Sequence, residues 1–288
     1  MSQNLIDSRL IKKLERLSLN SNLVLDKGFT GGRKSKSKGS SVEFSDFREY
    51  AAGDDFRKID WNAYARFEKL FIKLFTEERE ASINIFLDSS KSMDFGQPKK
   101  SFIASQIAAS IAYVSILSMD RVSTYSLKDD RMDALENING KNMFRRLLKH
   151  IEGIDFKETG DMFSLIRKRP FKKGISIIIS DLFTDDFKET IKYLSYMKQS
   201  IIVIQILSEE ELNPNYSGDI RFIDSETLLG KDVSLTPETM NSYAKTLDSF
   251  LAEIKETCNK YGAFYSLVNN SDIEEIIFDN LINTGILR

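Results

Sequence analysis

The pattern of apolar and polar positions changes near residue 80. From Ser82 onward, short apolar runs alternate with longer stretches that repeat apolar residues at helical spacing, which predicts strands alternating with helices. Runs such as Ile175–Ile179 are β-branched and lack polar alternation, as is typical of strands buried on both faces. The sequence therefore predicts an α/β fold with a doubly wound, mostly parallel sheet over residues 81–288. The predicted strands are Ile83–Leu87, Arg121–Leu127, Ile175–Ile179, Ser200–Leu207 and Ala263–Val268, and the predicted helices are Lys99–Met119, Lys141–Ile151, Phe187–Lys198, Pro237–Tyr261 and a terminal helix after Ser271.

The pattern over residues 1–80 predicts a small N-terminal α+β module. An amphipathic helix is expected over Asn4–Leu19, and it is followed by a basic loop over residues 27–41 that is rich in Gly, Ser, Lys and Arg. Val42–Tyr50 and Leu70–Phe75 have the pattern of strands. The large aromatic residues between them, Phe56 and Trp61, are expected to be core anchors of the module.

Two later segments need separate interpretation. Short apolar runs on either side of Gly230 predict a hairpin-like excursion near residues 218–236. Phe102–Met119 carries no charge and is about long enough to cross a bilayer. Its isoleucines recur at helical spacing between alanines and serines, so we expect the most buried helix of the protein, packed against the sheet, and no membrane insertion.

Composition and charge limit the possible functions. The formal charge of −2 gives no global attraction to nucleic acid or anionic lipid. Cys258 is the only cysteine and His150 the only histidine, which excludes a thiolate zinc site and weakens any serine–histidine nucleophile. The first residues contain no signal-peptide core, and we expect a cytoplasmic protein.

The most informative chemistry follows the first predicted strand of the sheet. Asp88, Ser90 and Ser92 offer oxygen side chains at alternate positions of one loop, and such oxygens suit a hard cation such as Mg²⁺. Asp181 ends another buried strand, and ligands of open α/β sheets bind beyond the carboxyl ends of the strands. If the two strands are neighbours, both acids face one crevice, to which Thr159 can bring a further hydroxyl.

These residues resemble a known type of site. Asp88, Ser90, Ser92, Thr159 and Asp181 are similar to the metal-ion-dependent adhesion site (MIDAS) of von Willebrand factor type A domains. The segment from Gly39 to Arg66, with Gly53-Asp54-Asp55-Phe56-Arg57-Lys58-Ile59-Asp60-Trp61, resembles the signature of a bacterial family of unknown function. Members of that family carry an A-type domain and are encoded beside MoxR-type AAA+ ATPases. The resemblance extends from about Gly31 to the C-terminus.

The resemblance implies a non-enzymatic protein-interaction module. Mg²⁺, or Mn²⁺ in its place, would be held directly by Ser90, Ser92 and Thr159, with Asp88 and Asp181 acting through water; whether Thr159 or Asp161 faces the metal stays open. A partner's carboxylate would complete the coordination. That partner would be a MoxR-type AAA+ ATPase or its client, with this chain as adaptor or assembly factor.

Alternative interpretations come from other classes. In the first alternative, Asp88 caps the helix that begins near Lys99, and Ser90 and Ser92 are ordinary loop residues. A divalent-metal-dependent phosphatase-like hydrolase is a second alternative, but Ser90 stands where the general acid of haloacid-dehalogenase-type phosphatases is needed. Nucleic-acid binding through the basic loop at residues 33–38 is a third, and the net negative charge makes it the less favoured one.

Overall fold

The chain divides into two compact units in this computed structural model. Met1–Lys27 and Ala81–Arg288 form the larger unit, and Gly28–Glu80 form the smaller one. The structure describes residues 5–19, 42–51, 53–77, 80–158, 160–215, 218–223, 229–270 and 272–288. The basic loop at residues 33–38 and Thr159 therefore lie outside the described residues, and the predictions made for them stay predictions.

The described elements include the strands and helices that the sequence pattern predicts, together with a strand at Arg131–Ile138 and short helices at Met162–Arg167 and Glu209–Leu212 that it does not predict. The strands are β1 (Val42–Glu49), β2 (Phe71–Glu77), β3 (Ser82–Leu87), β4 (Arg121–Lys128), β5 (Arg131–Ile138), β6 (Ile175–Ser180), β7 (Ser200–Leu207), β8 (Gly218–Ile223), β9 (Gly230–Leu235) and β10 (Phe264–Asn269). The helices are α1 (Ser8–Leu14), α2 (Trp61–Phe67), α3 (Lys100–Leu117), α4 (Phe144–Glu152), α5 (Met162–Arg167), α6 (Phe187–Tyr196), α7 (Glu209–Leu212), α8 (Pro237–Tyr261) and α9 (Ile273–Glu275), and the π-helical turn Ile276–Leu281 follows the last of them.

The larger unit is built on a six-stranded sheet with the order β10-β7-β6-β3-β4-β5. Neighbouring strands are parallel except at one edge, where β5 is antiparallel to β4. This confirms an α/β protein with a mostly parallel sheet. β3 is central, and β7 and β10 lie toward one side, as the sequence predicts.

Helices cover both faces of this sheet. On one face, α1, α3 and α4 and the C-terminal helical segment share a core with Ile83, Ile85 and Leu87 of β3. On the other face, α5, α6 and the end of α8 pack with Phe86. Alternate residues of one strand therefore enter two different cores, which explains why the strand lacks polar alternation.

The strand order reverses between β3 and β6. From β3 the chain passes to β4 on one side, and later it returns with β6 on the other side. The crevice beyond the carboxyl ends of strands at such a switch point is the usual ligand position of an open α/β sheet. The ends of β3 and β6 carry Asp88 and Asp181.

Helix α3 is the apolar helix whose length is close to that of a membrane span. It is the one described helix that is long and apolar enough to span a bilayer, and 89% of it is buried inside the protein. Its alanines and isoleucines enter the core beside β3. The burial matches the expectation of a helix packed closely against the sheet.

Helix α1 belongs to the larger unit, whereas the sequence analysis assigned it to a module of residues 1–80. Leu10 and Leu14 are buried in the core that α3 also lines. The following segment is tied to the C-terminus by hydrogen bonds of 2.9 and 3.0 Å between the backbones of Ser18 and Arg288. The apolar face of α1 is therefore covered by helices that are distant in sequence.

Within the described residues, the smaller unit contains the β1–β2 ribbon, a 3₁₀ turn at Phe56–Lys58 and α2. Asp60 caps α2 and accepts hydrogen bonds from the amides of Asn62 and Ala63. The expectation that Phe56 and Trp61 are buried anchors is wrong, because they are 66% and 63% exposed. The described elements of this unit, two strands and a two-turn helix, offer little inner surface to side chains of this size.

Candidate metal centre

Pairing of the two strand ends brings the first and last acids of the predicted site together. Leu87 of β3 pairs with Ile179 of β6, and the amide of Asp88 donates to the carbonyl of Ile179 at 3.0 Å. The hydroxyl of Ser180 then donates to Oδ2 of Asp88 at 2.5 Å. Asp88 therefore lies directly beside the end of the strand that Asp181 follows.

The loop after β3 turns sharply because Asp88 holds its own backbone. Oδ1 of Asp88 accepts a hydrogen bond from the amide of Ser90 at 2.9 Å, which is the contact of an Asx turn. A 3₁₀ turn over Lys91–Met93 follows and brings Ser92 back toward Ser90. The hydroxyl oxygens of these two serines are 3.0 Å apart, and both residues are half-buried. Hydroxyls that lie this close can bind one ion together.

The alternative that Asp88 caps the following helix does not match these contacts. The cap position of α3 is Lys99, whose side chain makes no capping hydrogen bond. Both carboxylate oxygens of Asp88 are bound within the switch-point crevice, to Ser90 and to Ser180.

Asp181 is held in place from several directions. The sequence turns after it through Leu182, which has a φ of 64°. Oδ2 of Asp181 accepts from the ammonium of Lys100 at 2.9 Å, and Oδ1 accepts from the amide of Phe183 at 3.3 Å. Its backbone carbonyl accepts from Nε2 of Gln205 at 3.0 Å. Both carboxylates of the site thus already accept hydrogen bonds from the protein, which suits ligands that reach an ion through water.

Glu158, the residue before Thr159, lies beside the loop that carries Ser90 and Ser92 (the serine loop). Glu158 pairs with Ser90 as an isolated parallel bridge, and its carbonyl accepts from the amide of Lys91 at 3.1 Å. Asp161 has a different task, because it caps α5 by accepting from the amides of Phe163 and Ser164. Burial and a hydrogen bond with Asp186 raise its pKa. Thr159 itself stays a predicted ligand.

The electrostatics of the crevice favour a cation. Asp88 is 8% exposed, and burial together with the Asp181 carboxylate raises its pKa to about 6. Hydrogen bonds from Ser180 and Ser90 act in the opposite direction and lower the pKa. Asp88, Asp181 and Glu211 carry three negative charges when ionised, and Lys100 carries one positive charge. The remaining formal charge of −2 is what a divalent cation would balance.

The donor set also limits which ion fits. Within the described residues, no group of three or more His, Cys, Asp or Glu is arranged to hold a metal. A metal in the crevice would therefore depend on serine hydroxyls and carboxylates, and all of these ligands are oxygens. Such ligands suit Mg²⁺ or Mn²⁺ rather than a softer transition metal.

The sequence analysis missed two residues of this region. Lys100 is fully buried between Asp181 and Glu211, and its ammonium is 2.7 Å from Oε1 of Glu211. A lysine at the start of a helix is ordinarily exposed, and Glu211 lies far away in sequence, so neither residue carries a local pattern that predicts the contact.

The chain is similar in sequence to two mycobacterial proteins and is also similar to two solved structures. Protein Rv1480 of Mycobacterium tuberculosis and protein Mb1516 of Mycobacterium bovis, both described as uncharacterized, are each 22% identical over 266 residues, which cover 89% of this chain and 84% of theirs. A conserved hypothetical protein, BatB from Bacteroides thetaiotaomicron, is 15% identical with a TM-score of 0.43, over 69% of this chain and 95% of its own. An aerotolerance-related membrane protein from Bacteroides fragilis is 16% identical with the same TM-score, over 72% and 98%.

The model of one protein family matches the greater part of the sequence. It is the family described as protein of unknown function DUF58, and the match covers residues 46–248. These residues include the second half of β1, the serine loop, Asp181 and the first half of α8. The chain therefore belongs to the DUF58 family.

Proposed function

We propose that this protein is a non-enzymatic, Mg²⁺-dependent protein-interaction module with a von Willebrand factor A-like domain. The observation that carries the proposal is that Asp88 contacts both Ser90 and Ser180, the residue before Asp181, at the switch point of the sheet. The hydroxyls of Ser90 and Ser92 lie 3.0 Å apart in the same loop. Ser90, Ser92 and Thr159 would hold the ion directly, and Asp88 and Asp181 would act through water. Bound there, Mg²⁺ supplies a site for a carboxylate from a partner.

The types of ligand favour binding over hydrolysis. Neutral hydroxyls leave an ion electron-poor, which strengthens its attraction for an external anion. A haloacid-dehalogenase-type hydrolase would need a second acid two positions after the first, and this chain has Ser90 there. His150, the only histidine in the sequence, lies on α4, and burial lowers its pKa. The phosphatase-like alternative has no comparable support.

The partner class follows from the family resemblance. Chains with this upstream signature and an A-type domain are associated with MoxR-type AAA+ ATPases, so the proposed partner is such an ATPase or its client, and the proposed role is adaptor or assembly factor in the cytoplasm. Nucleic-acid binding through residues 33–38 stays an alternative, because those residues lie outside the described part of the chain.

A binding experiment with three chains tests the proposal. The native protein should bind the purified MoxR-type ATPase of the same organism in millimolar Mg²⁺, and Asp88→Ala combined with Ser90→Ala should weaken this association at least about tenfold, since it removes ligands of the ion. Asp94→Ala is the matched control, because Asp94 is an exposed acid that pairs with Lys99.

The test compares variants because a chelator would also remove the Mg²⁺ that ATPases of this class bind together with nucleotide. Association that is as tight for the double variant as for the native chain would refute the proposed role. Tight salt-dependent binding of RNA or DNA instead, lost when Lys34, Lys36 and Lys38 are neutralised, would favour the nucleic-acid alternative.

A further inference from the structure

Lys100 is a fully buried lysine beside the candidate metal site. Its ammonium is 0% exposed and donates to Oδ2 of Asp181 at 2.9 Å and to Oε1 of Glu211 at 2.7 Å. Removing an ammonium from water costs free energy, and buried ion pairs seldom stabilise a fold more than apolar residues of the same volume do. Packing alone therefore does not explain a lysine at this position.

The position of the ammonium is fixed by its surroundings. The amide of Lys100 donates to the carbonyl of Phe95 at 2.8 Å, which anchors the start of α3. The ammonium lies 5.4 Å from the centroid of the Phe183 ring, within the range of a cation–π contact. Glu211 is held from its other side, because its Oε2 accepts from the amide of Ser208 at 2.7 Å. The nitrogen of Lys100 is thus held in one position in the crevice.

The charge of this ammonium changes what a bound cation would experience. Without Lys100, the carboxylates of Asp88, Asp181 and Glu211 would leave a formal charge of −1 on the site after a divalent ion had bound. Lys100, which pairs with Asp181 and Glu211, brings that charge to zero. The ion is then held less strongly, and an anion from outside meets less repulsion.

We propose that Lys100 is a specificity-determining residue, which lowers the affinity of the site for the cation and raises the affinity of the occupied site for a carboxylate. This inference rests on the proposed function and deepens it. It assigns the preference for an anionic partner group to a charge inside the protein as well as to the ion.

Two affinities measured on the same variants test the inference. Calorimetric titration gives the affinity for Mg²⁺, and solvent-proton relaxation of the Mn²⁺-loaded protein, titrated with acetate, gives the affinity for a carboxylate. Lys100→Met should raise Mg²⁺ affinity and lower acetate affinity, each by about five- to tenfold, as expected for one charge a few ångströms from the site. Damage to the fold alone would lower both affinities.

Two further variants complete the experiment. Lys99→Met removes the same charge from the preceding residue, whose side chain is exposed and pairs with Asp94, so both affinities should stay at the native values. Glu211→Gln removes a negative charge from the other partner of Lys100 and should lower Mg²⁺ affinity and raise acetate affinity. If the Lys100→Met protein does not fold, the two affinities of Glu211→Gln test the inference on their own.

The outcomes separate the two proposals. If the native chain binds neither Mg²⁺ nor Mn²⁺, the proposed function fails. If the native chain binds the metal but Lys100→Met lowers both affinities, or Glu211→Gln leaves both unchanged, the inference about Lys100 is overturned and the metal site remains.

Discussion

Neighbouring residues in the loop after β3 have different tasks. Ser89 is fully buried, and its hydroxyl donates to the carbonyl of Leu127 and accepts from the amide of the same residue, both at 3.0 Å. It fastens the loop to the end of β4. Asp88 and Ser90 instead make their contacts with Ser180 and Ser92. Ser89 therefore stabilises the loop, whereas Asp88 and Ser90 on either side of it belong to the candidate site.

The raised pKa of Asp88 predicts how stability depends on pH. Burial and the Asp181 carboxylate raise this pKa from 3.8 to about 6, so between these values the folded chain holds a proton that the unfolded chain releases. The contribution of Asp88 to stability is therefore largest at low pH and is lost as the pH rises through about 6. Without divalent ions, the free energy of unfolding of the native chain, relative to Asp88→Asn, should fall by up to about 3 kcal/mol between about pH 4 and about pH 7.

Denaturant titrations of both proteins across this pH range measure the difference. Millimolar Mg²⁺ should restore the stability of the native chain at about pH 7 and leave Asp88→Asn unchanged, because a ligand that binds only the folded state stabilises it. A difference between the two proteins that does not vary with pH would show that Asp88 does not carry the raised pKa.

At the scale of elements, the sequence predicts best where one physical cause dominates. β3, β6 and β7 are buried on both faces, so their continuous apolar runs identify them, and the uncharged α3 is identified in the same way. β5 was missed because it is an edge strand with charged residues, and it follows a tight turn in which Asp129 and Asp130 both have positive φ. α5 was missed because it is short and begins at Asp161, which the sequence offered as a metal ligand.

The sequence also predicts only part of the candidate site. Asp88 and Asp181 end strands that apolar runs reveal, so the sheet alone brings them together. The contact of Lys100 with Glu211 joins residues more than 100 positions apart and follows no periodicity. Such a pair depends on the position of the start of α3 beside α7, which sequence patterns do not specify.

On the scale of the molecule, the larger unit is assembled from both ends of the chain. Helix α1 is separated from the rest of this unit by residues 28–80, yet Leu14 is fully buried in its core. Nε2 of the Gln106 side chain, on α3, donates to the carbonyl of Leu5 at 2.9 Å, and the hydroxyl of Tyr113 donates to Oε1 of Glu15 at 3.1 Å. The N-terminal segment is therefore a structural part of the sheet-containing unit.

A single substitution tests this assignment. Leu14→Ala should lower the free energy of unfolding of the larger unit by about 2–5 kcal/mol, because it leaves a cavity in the core between α1 and α3. Lys12→Ala, on the exposed side of the same helix, should change it by less than about 0.5 kcal/mol. Equal stabilities of the two variants in denaturant titrations would mean that α1 is not part of this core.

The central claim is that Asp88, Ser90, Ser92 and Asp181 together bind a divalent cation. The most direct measurement is a calorimetric titration of Mg²⁺ into the native chain, into Asp88→Ala combined with Ser90→Ala, and into the Asp94→Ala control. We predict saturable binding by the native and control proteins and none by the double variant, since two of the four described ligands are then missing. Equal Mg²⁺ binding by the native chain and the double variant, or no binding by the native chain, would contradict the account.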